Sequence, residues 1–443
     1  MAVILAAFLS TTLVFAEQWP AFRGVNAAGV STGQAAPVTW NLDDGTNVKW
    51  KTAIPGLSHS SPIVWDDSIF ITAAISTAAD PELKVGLYGS INPVENDDVH
   101  DWRVYRVDKN SGEILWEKTA HSGMPKMKRH PKSTHANSTP VTDGKHVVAF
   151  FASEGLYCYD FDGNLVWKKD LGMMDSGFFM VKKAQWGFAS SPIIHDGVII
   201  LQCDIQSGSF LAAFDVTSGK ELWRTERSDV PTWSTPTVYS VKGKTRIVVN
   251  GFKHAGGYAF DTGKEIWRLE GNGDIPIPTP VISDDLIFIH NAHGRMSPIY
   301  AIRTNAKGDI SLDDDASTNK SIAWSIPRGG AYTATSIVYG DYFYNCIDNG
   351  FVSCFEAKTG KRMYRQRIGE TGTSLSASPV ASGGRIYYTT EQGNIVVLKA
   401  GPKFEIVAVN PLDDVCMATP AVSDGQLIFR THHFLISVEN LEN

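Results

Sequence analysis

The chain has 443 residues, of which 43% are hydrophobic and 20% charged, and its formal net charge at pH 7 is −7. Nucleic-acid-binding domains need a basic face, so this acidic balance excludes nucleic acid as the expected partner. A chain of this length ordinarily divides into two or three domains, unless it is built from repeats that contact only their neighbours. The internal repeats described below favour the second case.

Residues 1–16 form an apolar run without a charge that ends in Val14, Phe15 and Ala16. This pattern predicts a secretory signal peptide, and a buried N-terminal helix is the alternative. The run is too short to span a bilayer, so no transmembrane span is expected once it is removed. We therefore expect secretion across the inner membrane and a periplasmic or envelope-associated location, with residues 17–46 as an N-terminal extension.

A short phrase with an Asp, a Ser or Thr, a Gly and a closing Trp recurs along the chain. Its clearest copy runs from Phe214 to Trp223. The Gly stands where a tight turn needs a positive φ, and the Asp and Thr side chains can bond the turn backbone. The phrase therefore predicts two strands joined by a tight turn. Further copies lie at 260–267, 107–116, 356–364 and, more weakly, 159–167.

A second motif precedes these phrases: a pair of small, mostly hydroxylated residues, usually followed by Pro and apolar residues. Its eight copies begin at Ser60, Ser138, Ser190, Ser234, Thr279, Thr335, Ala377 and Ala418. Turn pairs such as Asp143-Gly144 follow in most copies and are a strong hairpin signal. Four short antiparallel strands in each unit of roughly forty residues indicate a propeller blade.

Aromatic residues that close the last strand of each unit allow the blades to be counted. Seven of them are Trp116, Trp167, Trp223, Trp267, Trp324, Tyr364 and Phe404. The eighth unit has too little chain for its last strand, and Trp50 near the N-terminus supplies the missing aromatic. We therefore predict an all-β, eight-bladed β-propeller of four-stranded antiparallel blades over residues 47–443, with the ring closed by an N-terminal strand.

Polar and aromatic side chains that precede the strand-opening motif would line the mouth of the central channel. Converging aromatic rings and cations suit a planar or anionic ligand. The alternatives are that these side chains plug the channel and that the basic run 126–132 is a solvated loop. Two long segments that interrupt the repeat, 73–103 between the second and third strands of the first blade and 117–134, lie where loops commonly carry function. The candidate ligand-binding residues are His59, Arg129, His130, Lys132, His135, Trp186, Trp233 and Tyr332.

Neither metal binding nor catalysis is predicted. Strand alternation would place His432 and His433 on opposite faces, and neither they nor the histidines in 290–293 have a third ligand at a suitable spacing. The motifs of serine hydrolases, phosphate loops and kinases do not occur.

Cys346 and Cys354 flank a turn and are either a cross-strand disulfide or two buried free thiols.

The repeated phrase, as in Phe260 to Trp267, resembles the tryptophan-docking repeat of pyrroloquinoline-quinone (PQQ)-type eight-bladed propellers. Residues 19–24 and 327–332 are similar to exported PQQ-like repeat proteins of planctomycete-type bacteria. Another relative is the BamB-like outer-membrane assembly scaffold, a propeller without a cofactor. The resemblance implies that the closing aromatics pack flat between neighbouring blades, namely Trp50, Trp116, Trp167, Trp223, Trp267, Trp324 and Tyr364.

The resemblance also implies what a quinone-dependent enzyme of this fold would carry, namely a vicinal Cys-Cys pair and a calcium site made of Glu, Asn and Asp. No two cysteines are adjacent here, and no matching acidic constellation is found. PQQ with calcium is therefore not the expected cofactor, and none is predicted. We expect an exported, non-catalytic propeller that serves as a binding or assembly scaffold for protein or small-molecule partners. The alternatives are a PQQ-dependent dehydrogenase of alcohols or sugars and a propeller that binds a glycan or another small molecule.

Overall fold

Short β-strands separated by tight turns make up nearly all of the regular structure. The computed structural model describes residues 16–78, 81–87, 89–95, 97–294, 296–313 and 315–441. These residues include 33 strands and two short 3-10 turns, Val25–Ala27 and Ala152–Glu154. Among the helices within them, none has the length and apolar character needed to cross a membrane. The predicted signal peptide lies outside the described residues except for Ala16.

The strands of the N-terminal half build four blades, and the first strand in the chain, β1 (Val48–Ala53), stands apart from them. Blade 1 contains β2 (Ile63–Trp65), β3 (Ser68–Ser76), β4 (His100–Asp108) and β5 (Ile114–Gly123). Blade 2 contains β6 (Val141–Thr142), β7 (His146–Phe150), β8 (Leu156–Asp160) and β9 (Leu165–Lys169). Blade 3 contains β10 (Ile193–His195), β11 (Val198–Cys203), β12 (Phe210–Asp215) and β13 (Glu221–Glu226). Blade 4 contains β14 (Thr237–Val241), β15 (Lys244–Val249), β16 (Ala255–Ala259) and β17 (Glu265–Leu269).

The C-terminal half builds the other four blades in the same way. Blade 5 contains β18 (Val281–Ser283), β19 (Leu286–His290), β20 (Ile299–Arg303) and β22 (Ile322–Ile326), while β21 (Gly308–Asp309) pairs in parallel with β17 of blade 4. Blade 6 contains β23 (Ile337–Tyr339), β24 (Tyr342–Cys346), β25 (Phe351–Glu356) and β26 (Arg362–Arg367). Blade 7 contains β27 (Val380–Ser382), β28 (Arg385–Thr389), β29 (Asn394–Lys399) and β30 (Ile406–Pro411). Blade 8 contains β31 (Ala421–Ser423), β32 (Gln426–Arg430) and β33 (Phe434–Val438).

The N-terminal strand closes the ring, as predicted. β1 pairs antiparallel with β33, with Thr52 opposite Leu435, and becomes the fourth strand of blade 8. A blade with three strands would leave the backbone of β33 without hydrogen-bond partners along one edge. The prediction of an all-β, eight-bladed propeller is therefore confirmed.

The closing Trp residues join neighbouring blades through one repeated contact. The indole N–H of Trp223 donates to Phe260 O on blade 4 at 2.9 Å. The ring of Trp167 covers Gly219 of the next blade, which has a φ of 67°, and a Cβ there would lie 2.7 Å from the indole. Only Gly allows both this backbone conformation and this close approach. Trp50, Trp116, Trp167 and Trp324 likewise donate to carbonyls of the following blade, at Lys109, Phe161, Val216 and Ala357.

Three positions depart from this pattern, and one of them is Tyr364 of blade 6, which lies opposite Cys354 in the closing register and has no indole N–H. Trp267 packs in the apolar cluster shared with blade 5, but its indole N–H donates within its own blade, to the Tyr239 hydroxyl at 3.0 Å. The prediction that Phe404 closes blade 7 is wrong, because β30 begins two residues later and Ala408, opposite Val397, occupies the closing register. Phe404 instead lies in the turn before β30, where it packs against Tyr364.

The N-terminal extension, residues 17–46, crosses one end of the ring. Trp19 forms a bridge with Val64 of blade 1, and Val30 forms one with Ala381 of blade 7. Val64 precedes the turn between the first and second strands of its blade, so the extension lies on the face where these turns lie. The fully buried Arg23 anchors it by donating to the backbone carbonyls of Ala27, Ala28, Thr335, Ser336 and Pro379.

Candidate functional site

A cavity of about 430 Å³ lies along the propeller axis, and we call it the axial cavity. Phe22 of the N-terminal extension lines one end of it. At the other end, residues 77–99 between the second and third strands of blade 1, called the insertion, contribute Leu87, Ser90 and Ile91. Leu87 is 61% exposed, so this end reaches solvent. The axial cavity is therefore bounded by the extension on one face and opens beside the insertion on the other.

A ring of hydroxyl groups surrounds the axial cavity. The backbone N–H of Thr139 donates to Ser191 Oγ at 2.9 Å, and that of Ser191 donates to Thr235 Oγ1 at 3.0 Å. The recurring hydroxyl thus accepts a backbone N–H of the preceding blade that would otherwise be buried without a partner. Seven such bonds of 2.9–3.3 Å join consecutive members of the series Ser61, Thr139, Ser191, Thr235, Thr279, Thr335, Ser378 and Thr419.

Aromatic side chains form the wall above this hydroxyl ring. Trp186 and Trp233 lie with their ring centroids 5.8 Å apart, and Tyr332 stacks on His293 at 5.9 Å. The indole N–H groups are fixed, since Trp186 donates to Ile91 O at 3.0 Å and Trp233 to Gly187 O at 2.7 Å. Phe178 stacks on the Trp186 ring with centroids 5.8 Å apart, so only the surfaces of Trp186 and Trp233 that face the cavity are open to a ligand.

The one lysine among the predicted residues, Lys132, is neutralised by an ion pair. Its Nζ lies 2.8 Å from Glu391 Oε1 and donates to Gly86 O of the insertion at 2.6 Å. Glu391 is 1% exposed and also accepts from Ser376 Oγ and from the Gly86 N–H. This pair ties the insertion to blade 7. The solvated-loop alternative for the run 126–132 does not hold at Lys132.

Sequence reasoning missed two carboxyl groups that line the axial cavity, those of Asp348 and Glu391. Each lies two residues before the Gly of a turn between the second and third strands of its blade, and Gly350 and Gly393 were the available signal. Such turns lie on the same face as the insertion, because the insertion enlarges the equivalent turn of blade 1. An acidic residue at this turn position therefore projects towards the open end.

The carboxyl group of Asp348 has a raised pKa, which predicts how the stability of the protein depends on pH. Burial raises the pKa of its carboxyl from 3.8 to about 6, against the opposing hydrogen bonds of Thr333 and Tyr332. Between these pH values the folded protein binds a proton that the unfolded chain does not, so this group lowers stability as pH rises through the window. Asp348→Asn is expected to unfold at a higher urea concentration than the wild type near neutral pH, with the difference shrinking towards about pH 4.

Asp196→Asn is the matched control for this measurement, because the Asp196 side chain is 81% exposed. Its unfolding midpoint should follow that of the wild type at every pH. A constant difference between Asp348→Asn and the wild type across the whole range would contradict the assignment of the raised pKa to Asp348.

The structure brings six of the eight predicted residues to the axial cavity. His59, His130, Lys132, Trp186, Trp233 and Tyr332 line it. His59 adds no positive charge near neutral pH, because burial lowers its pKa to about 4 against the opposing hydrogen bond of its Nε2 to Lys132 O at 2.8 Å. The lining therefore presents aromatic faces, hydroxyls and carboxyl groups, with its lysine already paired.

Arg129 and His135 lie elsewhere, beneath the insertion. His135 Nε2 is 2.6 Å from Asp97 Oδ2, and Arg129 Nε is 4.0 Å from the same oxygen. Arg129 also lines a second cavity of about 400 Å³, which we call the insertion pocket. Asp97 belongs to the insertion, whose path around the propeller is not set by a repeat pattern.

The structure gives the outcome of two sequence predictions, one for the cysteines and one for the His432–His433 pair. Cys346 and Cys354 are buried free thiols, as are the other three cysteines. The argument that His432 and His433 point to opposite faces is wrong, because they precede β33 and their rings stack with centroids 4.1 Å apart. Alternation applies only inside a strand.

The axial cavity does not fit PQQ with calcium, the cofactor that the resemblance implies for enzymes of this fold. Calcium takes six to eight oxygen ligands, mostly carboxylates and carbonyls. The Glu391 carboxylate is already occupied by Lys132, Ser376 and the Gly86 N–H. The described lining has two carboxyl groups, and of these only the carboxyl group of Asp348 is not in an ion pair. We therefore assign no catalytic step to a quinone here.

Comparisons with known proteins agree with the architecture. BamB of Yersinia pestis is 24% identical over 254 residues, which are 54% of this chain and 58% of that protein. BamB of Moranella endobia is 27% identical over 201 residues, 42% of this chain and 49% of that protein. The chain thus spans about half the length of the curated relatives it matches.

Solved structures share the fold at low sequence identity. The crystal structure of BamB from Moraxella catarrhalis has a TM-score of 0.55 at 13% identity, covering 83% of this chain and 98% of that one. A europium-containing methanol dehydrogenase has a TM-score of 0.63 at 11% identity, covering 95% and 89%. These two likenesses show the fold alone.

The family is shown by a sequence match. The model of the family described as outer membrane protein assembly factor BamB matches residues 100–344, more than half of the chain. This stretch includes the docking Trp residues of blades 1–5 and part of the lining of the axial cavity, with Trp186, Trp233 and Tyr332. The chain therefore belongs to the PQQ-like propeller family of the outer membrane protein assembly factor BamB.

Proposed function

We propose that this protein is a non-catalytic propeller of the cell envelope that acts as a binding and assembly scaffold for protein partners. Membership of a family described by an assembly factor supports this proposal, as does the predicted signal peptide. A closed ring of eight blades is a rigid body that can hold partners at several places on its rim.

The observation that carries the proposal is the outer edge of blade 7. On β30, Ile406, Val407 and Val409 are 40%, 37% and 55% exposed. An edge strand with consecutive exposed apolar residues is normally shielded by charges, Pro or a covering segment. Blade 4 has such a cover, since β21 pairs with β17. β30 therefore offers an apolar edge to an extended segment of a protein partner.

A pull-down from envelope extracts with the wild type and with Val409→Lys tests the proposal. Val409 is more than half exposed, so the lysine should leave folding intact while it blocks an apolar strand from docking. We expect a set of envelope proteins that the wild type retains and Val409→Lys loses. Leu222→Lys, at an exposed position on β13 of blade 3, is the matched control and should retain them.

Two outcomes would overturn the scaffold proposal. One is equal capture by the wild type, Val409→Lys and Leu222→Lys. The other is reduction of a redox dye by the purified protein with PQQ, calcium and an alcohol or aldose, which would make the protein a quinone-dependent dehydrogenase.

The axial cavity favours a second candidate function, the binding of a glycan or another small molecule. Trp186 and Trp233 present ring surfaces to the cavity on which a sugar can stack, and Asp348 can accept hydrogen bonds from its hydroxyl groups. A thermal-shift screen of mono- and oligosaccharides tests this. A stabilising ligand should lose its effect in Trp186→Ala and keep it in Leu115→Ala, which alters an exposed residue on the outside of blade 1. A screen without a Trp186-dependent hit would reject this candidate.

A further inference from the structure

Three side chains distant in sequence place metal-ligand atoms side by side beneath the insertion. Asp97 Oδ2 lies 2.6 Å from His135 Nε2, and Asp97 Oδ1 lies 3.7 Å from His100 Nε2. The nearest ligand atoms of all three residues lie within 4.8 Å of one another. The side chains of His100 and His135 are 3% and 8% exposed, so their positions are held by packing.

The hydrogen bond at the other ring nitrogen of His100 shows which atom is free to bind. His100 Nδ1 lies 2.6 Å from the backbone oxygen of Asp98. A carbonyl oxygen only accepts, so Nδ1 carries a proton and donates it. In the neutral ring Nε2 then presents its lone pair towards Asp97 Oδ1. Metal-binding histidines are commonly oriented in this way, with the second nitrogen donating to a carbonyl or carboxylate.

The lone pair of His100 Nε2 and the carboxylate oxygen of Asp97 repel each other unless positive charge lies between them. At 3.7 Å these atoms are too far apart for a direct hydrogen bond but close to the separation of two ligands on one metal ion. The third ligand atom is His135 Nε2, which lies beside the other carboxylate oxygen, Asp97 Oδ2. A divalent cation would take the place of the proton between His135 Nε2 and Asp97 Oδ2, and the neutral imidazole would then carry its proton on Nδ1, so the ring stays neutral while Nε2 offers its lone pair to the ion.

The surroundings carry a small excess of negative charge. The insertion pocket beside the cluster is lined by Glu82, Glu95, Asp97 and Asp98. Against these four carboxylates stand three cations: Arg129, 4.0 Å from Asp97 Oδ2, Lys128, 2.9 Å from Glu95 Oε2, and Lys84, 3.8 Å from Glu82 Oε1. Asp97 is the member of the cluster that lines this pocket, so an ion would reach the cluster from the side of its carboxylate.

We propose that Asp97, His100 and His135 form a binding site for a divalent transition-metal ion, with zinc as the best match. Two imidazole nitrogens and one carboxylate suit Zn²⁺, and the insertion pocket leaves the fourth position to water. The ion joins the insertion, through Asp97, to the start of β4 at His100 and to the segment before blade 2 at His135. Its role is therefore to fix the insertion, whose Ser90 and Ile91 line the axial cavity.

This inference does not depend on the proposed scaffold function. The fluorescence of Trp102 can report metal binding, because its ring lies beside both histidines. The buried Trp102 ring lies 5.7 Å from the His100 ring and 6.0 Å from that of His135, measured between centroids. Titration of the chelator-treated, metal-free protein with Zn²⁺ in a calorimeter should give one ion per chain. Titration with Co²⁺ should give visible absorption bands of a nitrogen- and oxygen-ligated ion and quench part of the tryptophan fluorescence.

Asp97→Asn and His100→Ala are expected to weaken Zn²⁺ binding by more than about 100-fold, since even second-shell changes at metal sites cost 10–100-fold. Asp97→Asn keeps the shape of the side chain but removes the carboxylate beside the buried Arg129, so its unfolding midpoint without metal should fall, and native circular dichroism is the check that it still folds. His433→Ala is the control, because Asp414, His432 and His433 form the other described group of this kind. It should leave the stoichiometry and the affinity unchanged.

The proposal is overturned if the wild type binds no Zn²⁺ or Co²⁺. It is equally overturned if Asp97→Asn and His100→Ala bind as the wild type does, or if His433→Ala abolishes binding. Retention of binding in a variant that has lost its native circular dichroism would also place the ion elsewhere.

Discussion

Replacing Arg227 by methionine is expected to lower the free energy of unfolding by about 3–5 kcal/mol, the usual cost of leaving one member of a buried ion pair alone. Arg227 Nε lies 2.8 Å from Asp204 Oδ1, and its Nη2 lies 3.1 Å from Asp229 Oδ2. Both carboxylates have fully buried side chains at the junction of blades 3 and 4. Methionine fills much of the same volume but leaves these two negative charges without their cation. Urea unfolding at neutral pH measures the loss.

The dependence of this loss on pH distinguishes charge from packing. Burial already raises the pKa of Asp204, although the charge of Arg227 opposes the shift. Without the guanidinium, the folded variant binds protons more tightly than the unfolded chain does, so the deficit relative to the wild type should shrink as pH falls. A deficit that is constant between about pH 4 and pH 7 would contradict the electrostatic explanation and point to packing.

Arg224→Met is the matched control for Arg227→Met. Arg224 lies three residues earlier on β13 and pairs with Glu221 at 2.6 Å, but the two side chains are 34% and 36% exposed. Exposed ion pairs contribute about 0–1 kcal/mol, so this variant should remain close to the wild type. Equal losses in both variants would show that burial does not govern the effect.

Trp324→Ala is expected to cost about 3–5 kcal/mol, the range found when a buried Phe or Trp is truncated. Trp324 is 5% exposed and packs against Phe288, Phe343 and Phe355, which belong to blades 5 and 6. Its indole N–H donates to Ala357 O of blade 6 at 2.8 Å. The substitution therefore opens a cavity at a blade junction and leaves a buried carbonyl without its donor. Urea unfolding again measures the loss.

Trp324→Phe separates the two contributions. It keeps most of the apolar contact but removes the N–H, and a single lost hydrogen bond in a buried place costs about 1–3 kcal/mol. Leu222→Ala, which truncates a residue that is 49% exposed on an outer strand, should change stability little. If Trp324→Ala loses no more stability than Leu222→Ala, the closing aromatics do not hold the blades together.

The fold was predictable because its determinants are local and repeated. The turn from Asp215 to Gly219, the indole of Trp223 and the hydroxyl before each strand-opening Pro act within one blade or between neighbours, so each copy carries the same information. The failure at Phe404 shows the limit of this reasoning. A turn longer by a few residues shifts an aromatic out of the strand, and composition does not reveal which residue takes its register.

The candidate site was predictable only in part. His59, Trp186 and Tyr332 lie within four residues before a strand-opening motif, and the ring symmetry brings that position to the axis. Glu391 and Asp348 follow the second strand of their blades, and their approach to the axial cavity depends on the tilt of the blades. The cluster of Asp97, His100 and His135 depends on the path of the insertion, which no repeat specifies.

The number of blades, their strand order and the closure of the ring by Trp50 could be derived from the sequence, because recurring motifs and periodic turns specify them. Only the folded ring shows that Phe22 and Arg23 lie across one end, that Lys132 is neutralised by Glu391, and that Asp97 meets two histidines. Each of these contacts joins residues that are far apart in the chain and belong to no repeat. Their positions result from packing of the whole ring, which local propensity does not encode.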